Sequence, residues 1–401
     1  MQINRSCLIV SFALFVLVPS VSTDFAADIY SPRTFRIASF NIKELSTAKL
    51  LDVDEQGRGK NEQLKAAAEI IQQINADILI VQEMDQDYSS ASQGLGTNAR
   101  RFLNAYINQG SSAIFYPYFF TDSCNTGVLS GLDLNHDGII ATPVNSGTRA
   151  YGGDCFGFGM FPGQYAMVMY CRFPIDSDSI RTFQKFLWKD LPGQHMPANY
   201  YSERAIDILR LSSKSHWDVP VLIQNKRVHF LLSHPTPPVF DGKEDRNGRR
   251  NFDEIKFWLA YIAGNPAIYD DRGRAAGLSR GNNFIIAGDL NASPDNGVFY
   301  DGVNAIDQLL KLPLLTDTGS WLTSPGGAEG RHAGPPDFPE RNTSRFSRGL
   351  TLRLDYLLVS HQVKVHDGGV FWPAAKEDPA GSALAEKASD HRLVWLDISL
   401  P

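Results

Sequence analysis

Polar side chains with chemical capacity recur at the ends of otherwise apolar runs. Asn41 closes the run that begins at Phe35, Glu83 the run from Asp77, and His234 the run from Val228. Asp289 and Asn291 end the run from Asn283, Asp355 lies in the run from Arg353, and Asp390-His391 precede the run Leu393 to Ile398. Glu83, Asp289, Asp355 and Asp390 thus place four carboxylates on apolar segments. Like charges brought together repel or take up protons unless a cation intervenes. A hard divalent ion with oxygen ligands is the economical answer, which favours Mg2+ or Mn2+ and admits Ca2+. Zinc is disfavoured, because no Cys/His cluster with zinc spacing occurs. The set suits attack of water on phosphorus. An ion held by Glu83 would neutralise phosphate, Asp289 would orient or deprotonate water, and Asn291 would donate to the developing oxyanion. His391, held by Asp355, and His234 are candidates for proton transfer or phosphate contact.

Residues so far apart in the chain meet only if several strands deliver them to one edge, as parallel and mixed sheets do. Eight short runs rich in Ile, Val, Leu and Phe read as buried strands, at 35–42, 77–82, 166–171, 219–223, 228–233, 283–287, 353–359 and 393–398. Between the first two, residues 62–74 carry Leu64, Ala67, Ala68, Ile71 and Ile74 on one helical face. A second helix is expected from Asn251, with Glu254 at capping-box spacing, and a third over about 304–312. Strands outnumber helices and helices are interspersed, which predicts an α/β fold of stacked sheets with helices outside. Residues 85–160, 172–218 and 318–350 are long loops rich in Gly, Pro, Asn and Ser, and loops of that length tend to be functional. No boundary between two cores stands out. Motifs running from Asn41 to His391 draw both ends of the chain into one site, so residues 23–401 are expected to form a single domain.

The chain has 401 residues, 43% hydrophobic and 20% charged, which excludes a disordered, collagenous or coiled-coil protein. Its net charge of -6 does not attract polyanions in bulk, so a phosphate-bearing substrate must be held locally. Arg5 precedes the apolar run Leu8 to Val18, and Ser20 and Ser22 follow. That order is the pattern of a secretory signal, too short to span a bilayer comfortably. Residues 1–22 are therefore expected to be a signal peptide, leaving a secreted or periplasmic protein without a membrane anchor. In an oxidising compartment Cys124 and Cys155, which flank a Gly- and Asn-rich loop, are expected to pair and to contribute about 3–4 kcal/mol. Cys171 reads as a buried strand thiol.

The ordered pieces Ser39-Phe40-Asn41-Ile42, Val81-Gln82-Glu83, Ser233-His234-Pro235, Gly288-Asp289-Leu290-Asn291, Arg353-Leu354-Asp355-Tyr356 and Ser389-Asp390-His391 resemble the endonuclease/exonuclease/phosphatase superfamily. That superfamily includes DNase I-like nucleases, abasic-site endonucleases, inositol polyphosphate phosphatases and bacterial sphingomyelinases. Residues 234–238 with the charged loop after them look like a secreted bacterial branch, and the resemblance as a whole runs from about residue 35 to 400. It implies a four-layered α/β sandwich, two packed mixed β-sheets flanked by helices, and a divalent-metal phosphohydrolase with one active site. By the same resemblance Glu83 is the principal metal ligand, helped by Asn41 and Asp390. Asp289 with Asn291 activates water, His391 with Asp355 contacts phosphate, and His234 is the leaving-group acid. The sequence departs from the DNase I-like pattern at Gln164, where a glutamate would partner that histidine. Gln164 can still orient His234 but cannot raise its pKa as a carboxylate would.

The reading favours a phosphodiesterase or nuclease acting on a phosphate ester, with nucleic acid as one candidate substrate and no protein partner implied. Alternatives are a phosphomonoesterase, a sphingomyelinase-like lipid phosphodiesterase, or an exported binding module on the same fold. Arg246, Arg249 and Arg250 lie after His234 and could clamp phosphate, although Asp241, Glu244 and Asp245 beside them could equally make a self-compensated loop. The aromatic stretch Phe115 to Phe120 could touch lipid, but Pro117 favours an edge strand. Asp133 to Gly138 opens like a calcium loop, yet Val144 stands where the bidentate Glu belongs, so an Asp/Asn/Gly turn is expected.

Overall fold

Two six-stranded sheets carry the polar strand ends. In the computed structural model, which describes residues 34–89, 94–332 and 338–401, the expected signal segment 1–22 lies outside the described residues. The sheet strands in chain order are β1 (Phe35–Leu45), β2 (Ile78–Met84), β3 (Tyr118–Phe120), β4 (Ala166–Cys171), β5 (Arg181–Thr182), β6 (His216–Ile223), β7 (Lys226–Ser233), β8 (Asn283–Asp289), β9 (Leu315–Thr316), β10 (Asp355–Ser360), β11 (Lys364–Val370) and β12 (Val394–Ser399). The first sheet has the order β11-β12-β1-β2-β4-β3 and the second β9-β10-β8-β7-β6-β5. Each is mixed: β1 and β2 are parallel, as are β7 and β8, while their outer neighbours run antiparallel.

Side-chain alternation decides which face each residue serves. Ile37, Ile78, Ile80, Met167 and Met169 of the first sheet pack with Trp217, Val219, Phe230, Leu232, Ile285 and Leu357 of the second, forming the core between the sheets. The opposite face of the first sheet, with Leu79, Val81 and Tyr170, is covered by helix α1 (Glu62–Ile74) through Leu64, Ala67 and Ile71. The outer face of the second, with Leu231, Ile286 and Tyr356, is covered by α2 (Arg246–Ile262) through Ile255, Trp258 and Tyr261. The result is the expected four-layered α/β sandwich. A third helix, α3 (Pro379–Ala388), joins the α1 layer through Leu384 and Ala388.

Some local expectations change. Helix α2 starts at Arg246, not Asn251, because Asp245 turns the chain in the left-handed region and the Asp241 carboxylate accepts the Asn247 N–H. Glu254 makes no capping box; it is buried and accepts the backbone N–H groups of Ser213 and Thr236, each at 2.6 Å. The third expected helix shrinks to Asp307–Leu310. Cys124 and Cys155 do not pair. Both thiols are free and buried, Cys124 against the Thr126 hydroxyl at 2.9 Å and Cys155 against the Tyr151 carbonyl at 3.2 Å. Backbone bonds between the arms already clasp this loop, including Gly127 N–H to Gly157 O and Phe156 N–H to Val128 O. In the Asp133 loop, the carboxylates of Asp133 and Asp137 accept nearby backbone N–H groups, as a turn requires.

Candidate active site

Glu83 lies where β2 departs from regular pairing. Strict alternation would send its side chain outward with Leu79 and Val81. A register shift between Gln82 and Met84, with Glu83 at φ 65°, turns it toward the inner rim instead. A bulge of this kind re-aims a side chain at some conformational cost. Asn41, the last residue of β1 in regular register with β2, donates to Glu83 Oε1 at 3.1 Å and to Asp289 Oδ2 at 3.0 Å. The Glu44 N–H holds the other Glu83 oxygen at 2.9 Å.

Asp289 ends β8 directly opposite Asp355, which begins β10 in the antiparallel register. Two buried carboxylates facing each other would repel. His391 resolves this by lying between them, with Nδ1 2.9 Å from Asp355 and Nε2 3.6 Å from Asp289. The Thr343 hydroxyl donates to the same Asp355 oxygen at 2.7 Å. Burial would lower the His391 pKa, but Asp355 and Asp289 together push it up to about 10. Burial dominates at Asp355 and raises it to about 6. Asp289 feels the same burial, yet His391 and His234 outweigh it and hold its carboxyl well below the usual range.

His234 follows β7 and brings Nε2 to 3.5 Å from Asp289. Its buried Nδ1 has no hydrogen-bond partner among the described residues. Gln164 does not orient it, because Gln164 Oε1 accepts the Met160 N–H at 2.7 Å. Burial, reinforced by the Lys214 ammonium, lowers the His234 pKa. Asn291 sits in the left-handed region at φ 50°, gives its N–H to Asp289 at 2.9 Å, and gives an amide N–H to the Pro235 carbonyl at 3.1 Å. Gly288 makes this convergence possible: a Cβ there would lie 2.1 Å from the Ser233 carbonyl.

Asp390 remains at the rim, its carboxylate paired with Lys43 at 2.7 Å, so a metal would compete with that ammonium. The three arginines are turned to partners within the protein. Arg246 pairs with Glu244, and Arg249 bonds the carbonyls of Glu244 and His195. Arg250 ties together the carbonyls of Leu211, Phe156 and Arg210. With three of its five donors on backbone carbonyls, Arg250 in particular is committed to holding the loops. The exposed ring of Phe115 lies at the wrong end for a substrate lipid. Its neighbour Tyr116 bonds Ala76, before β2 begins, whereas Glu83 lies near the far end of that strand.

Three contributors escaped the sequence reading. Ser389 ties the ends of the chain together, its hydroxyl donating to Asn41 O at 2.8 Å and accepting the His391 N–H at 3.1 Å. Thr343 fixes Asp355, and Lys214 is buried near His234. Lys214 lies four residues clear of the run at 219–223 and carried no local signal; Ser389 belonged to a motif piece, but nothing marked its hydroxyl or that of Thr343 for these roles.

The family model of the endonuclease/exonuclease/phosphatase family matches residues 38–391. The chain belongs to this family. As an endonuclease/exonuclease/phosphatase family member it is a phosphoric-ester hydrolase, of a kind generally dependent on a divalent metal. Among solved structures, the endonuclease/exonuclease/phosphatase from Beutenbergia cavernae shares its fold, at 16% identity and a TM-score of 0.51, over 92% of this chain and 72% of that one. An endonuclease/exonuclease/phosphatase family protein from Leptotrichia buccalis aligns at 15% identity and a TM-score of 0.49, covering 91% of this chain and all of its own. A search of curated proteins found no match. The residues present fit the metal the family implies. Asn41 Oδ1 is buried without a hydrogen-bond partner among the described residues, beside the Glu83 carboxylate. An amide oxygen and a carboxylate suit a hard cation. Asp289 and Asp355 lie close by, but His391, protonated between them, has no lone pair to offer a metal.

Proposed function

We propose that this protein is an exported phosphodiesterase, in the class that includes nucleases, which hydrolyses its ester by in-line attack of water with Mg2+ or Mn2+. The observation that carries the reading is the Asp289 carboxylate, contacted by Asn41 and flanked by His234 and His391. When bound at Glu83 and Asn41, the metal would supply positive charge to the phosphate and to the transition state. Asp289, held ionised by its neighbours, accepts from the attacking water and aligns it. His391, held as imidazolium between two carboxylates, donates from Nε2 to a phosphoryl oxygen. Asn291 adds an amide donor beside it. His234 faces the same space from the opposite strand and serves the leaving oxygen, with burial limiting the fraction that carries a proton.

The test is purified protein lacking residues 1–22, assayed with Mg2+, Mn2+ and Ca2+ against plasmid DNA, RNA, a chromogenic phosphodiester, a phosphomonoester and sphingomyelin. Diester cleavage abolished by EDTA is the expected result. Cleavage of the monoester alone would move the reading to a phosphatase, and cleavage of sphingomyelin alone to a lipid phosphodiesterase. Export is tested separately by N-terminal sequencing of the protein recovered outside the cytoplasm, which should begin near residue 23.

A further inference from the structure

The arginines expected to hold phosphate are engaged with Glu244 and with backbone carbonyls. Around Asp289 the carboxylates of Glu83, Asp289 and Asp355 outnumber the single imidazolium of His391, so an anionic phosphate gains from a further fixed positive charge. We propose that Lys214 supplies it: its ammonium, buried beside Asn291 and His234, binds the non-bridging oxygens of the substrate phosphate. This deepens the phosphoester reading above and rests on it.

The geometry places the ammonium within the site. Lys214 lies two residues before β6 and is 6% exposed. The hydrogen bond that Nζ makes reaches the Pro235 carbonyl at 3.5 Å, the outer limit of such a contact. That carbonyl also accepts the Asn291 amide at 3.1 Å, so the ammonium and the amide converge on one atom, in the residue next to His234. Lys214 makes no ion pair among the described residues. Glu254, the carboxylate with the largest electrostatic effect on it, already has its two oxygens on the N–H groups of Ser213 and Thr236.

An ammonium carries three donors, and burying one with a single marginal bond is costly unless a ligand completes its shell. A methionine of similar length would fill the space without that cost. Phosphate oxygens suit a lysine point charge, and a pre-positioned cation needs no rearrangement when substrate enters. The loop that holds it is clamped. Lys214 O accepts the Asn125 N–H at 2.8 Å, and Gly157 passes so close that a Cβ would lie 1.8 Å from Ser213 O. Burial lowers the Lys214 pKa while Glu254, Glu83 and Asp289 oppose it, and a bound phosphate would oppose it further.

The test is the affinity of inorganic phosphate, measured by titration calorimetry with Mg2+ present, for the wild type, Lys214→Met and Lys214→Gln. Each folded variant should bind phosphate at least 10-fold more weakly, with unchanged Mg2+ affinity in the absence of phosphate and no loss of Tm. Arg246→Ala, made as a control, should bind phosphate like the wild type. Phosphate affinity within twofold of wild type in either folded Lys214 variant overturns the proposal. The two readings fail separately. If no ester is cleaved but phosphate binding still depends on Lys214, the activity is wrong and this assignment stands. If diesters are cleaved and phosphate binding ignores Lys214, this assignment alone falls.

Discussion

Replacing Asp355 by Asn should change the chemistry of His391 more than the stability of the fold. The amide keeps an oxygen that can accept from His391 Nδ1, now 2.9 Å away, but removes the charge. In the wild type His391 is pushed up to about 10 from an ordinary value of 6.5, against a burial effect that acts in the opposite direction. Each unit is ~1.36 kcal/mol, so the two carboxylates favour the imidazolium by about 5 kcal/mol beyond the burial penalty. Asp355 is the larger contributor, and its loss should lower the His391 pKa by about two units or more, or ~3 kcal/mol. Asp355 is itself raised to about 6 by burial, so the Asn variant also relieves a buried carboxylate and the net change in folding stability should be small. Two assays read the effect. Proton NMR of metal-free protein should show the His391 ring titrating at least two units lower. The alkaline limb of the pH profile for diester cleavage should move toward acid by a similar interval, with the maximal rate reduced on the order of 10²–10⁴. An unshifted His391 titration would refute the account of the dyad as an imidazolium held between two carboxylates.

Further perturbations probe separate parts of the argument. Glu83→Gln should leave the fold intact and weaken Mg2+ binding by at least tenfold in calorimetry, since it removes the charge beside Asn41 Oδ1; unchanged affinity would put the metal elsewhere. His216 is buried with Nδ1 on Ser212 and Nε2 on the Glu254 carbonyl, and burial lowers its pKa to about 4. Because its folded value lies below its ordinary 6.5, its contribution is complete above pH 6.5 and is lost as pH falls toward 4, by about 3 kcal/mol. Urea melts across that range should show this loss, reduced in His216→Gln. Gly288→Ala should destabilise by about 3 kcal/mol in the same assay, because the new methyl meets the Ser233 carbonyl. A reducing agent should leave Tm unchanged, as Cys124 and Cys155 are free thiols.

Much of the scaffold was legible because its strands are short apolar runs bounded by turns. Helix α1 occupies the residues its apolar face predicted, and β2, β4, β7 and β8 lie within two residues of expectation. Elements with weak or mixed patterns were not legible. Strand β11 is half exposed and polar, and α3 is short and rich in Ala. The start of α2 was misplaced because a left-handed Asp245 starts a helix without the expected cap signature. The arginine loop could be read as a phosphate clamp or as a self-compensated surface, and only contact geometry separates the two.

The sequence by itself determined the class of chemistry, because carboxylates, amides and histidines at the ends of apolar strands leave few reactions open, and their order matches one family. It also determined the layered fold, since alternation and helical periodicity are local properties. Tertiary structure decided which of those groups meet. The bulge at Glu83, the cross-strand pairing of Asp289 with Asp355, and the hydroxyl of Ser389 tying the two chain ends are long-range facts that no local pattern encodes. It also engaged the three arginines with partners inside the protein and left Lys214 with one marginal hydrogen bond, the contrast on which the proposed phosphate contact rests. A cation's availability depends on what else its donors touch, and those partners lie tens of residues away for Arg250 and for Lys214 alike.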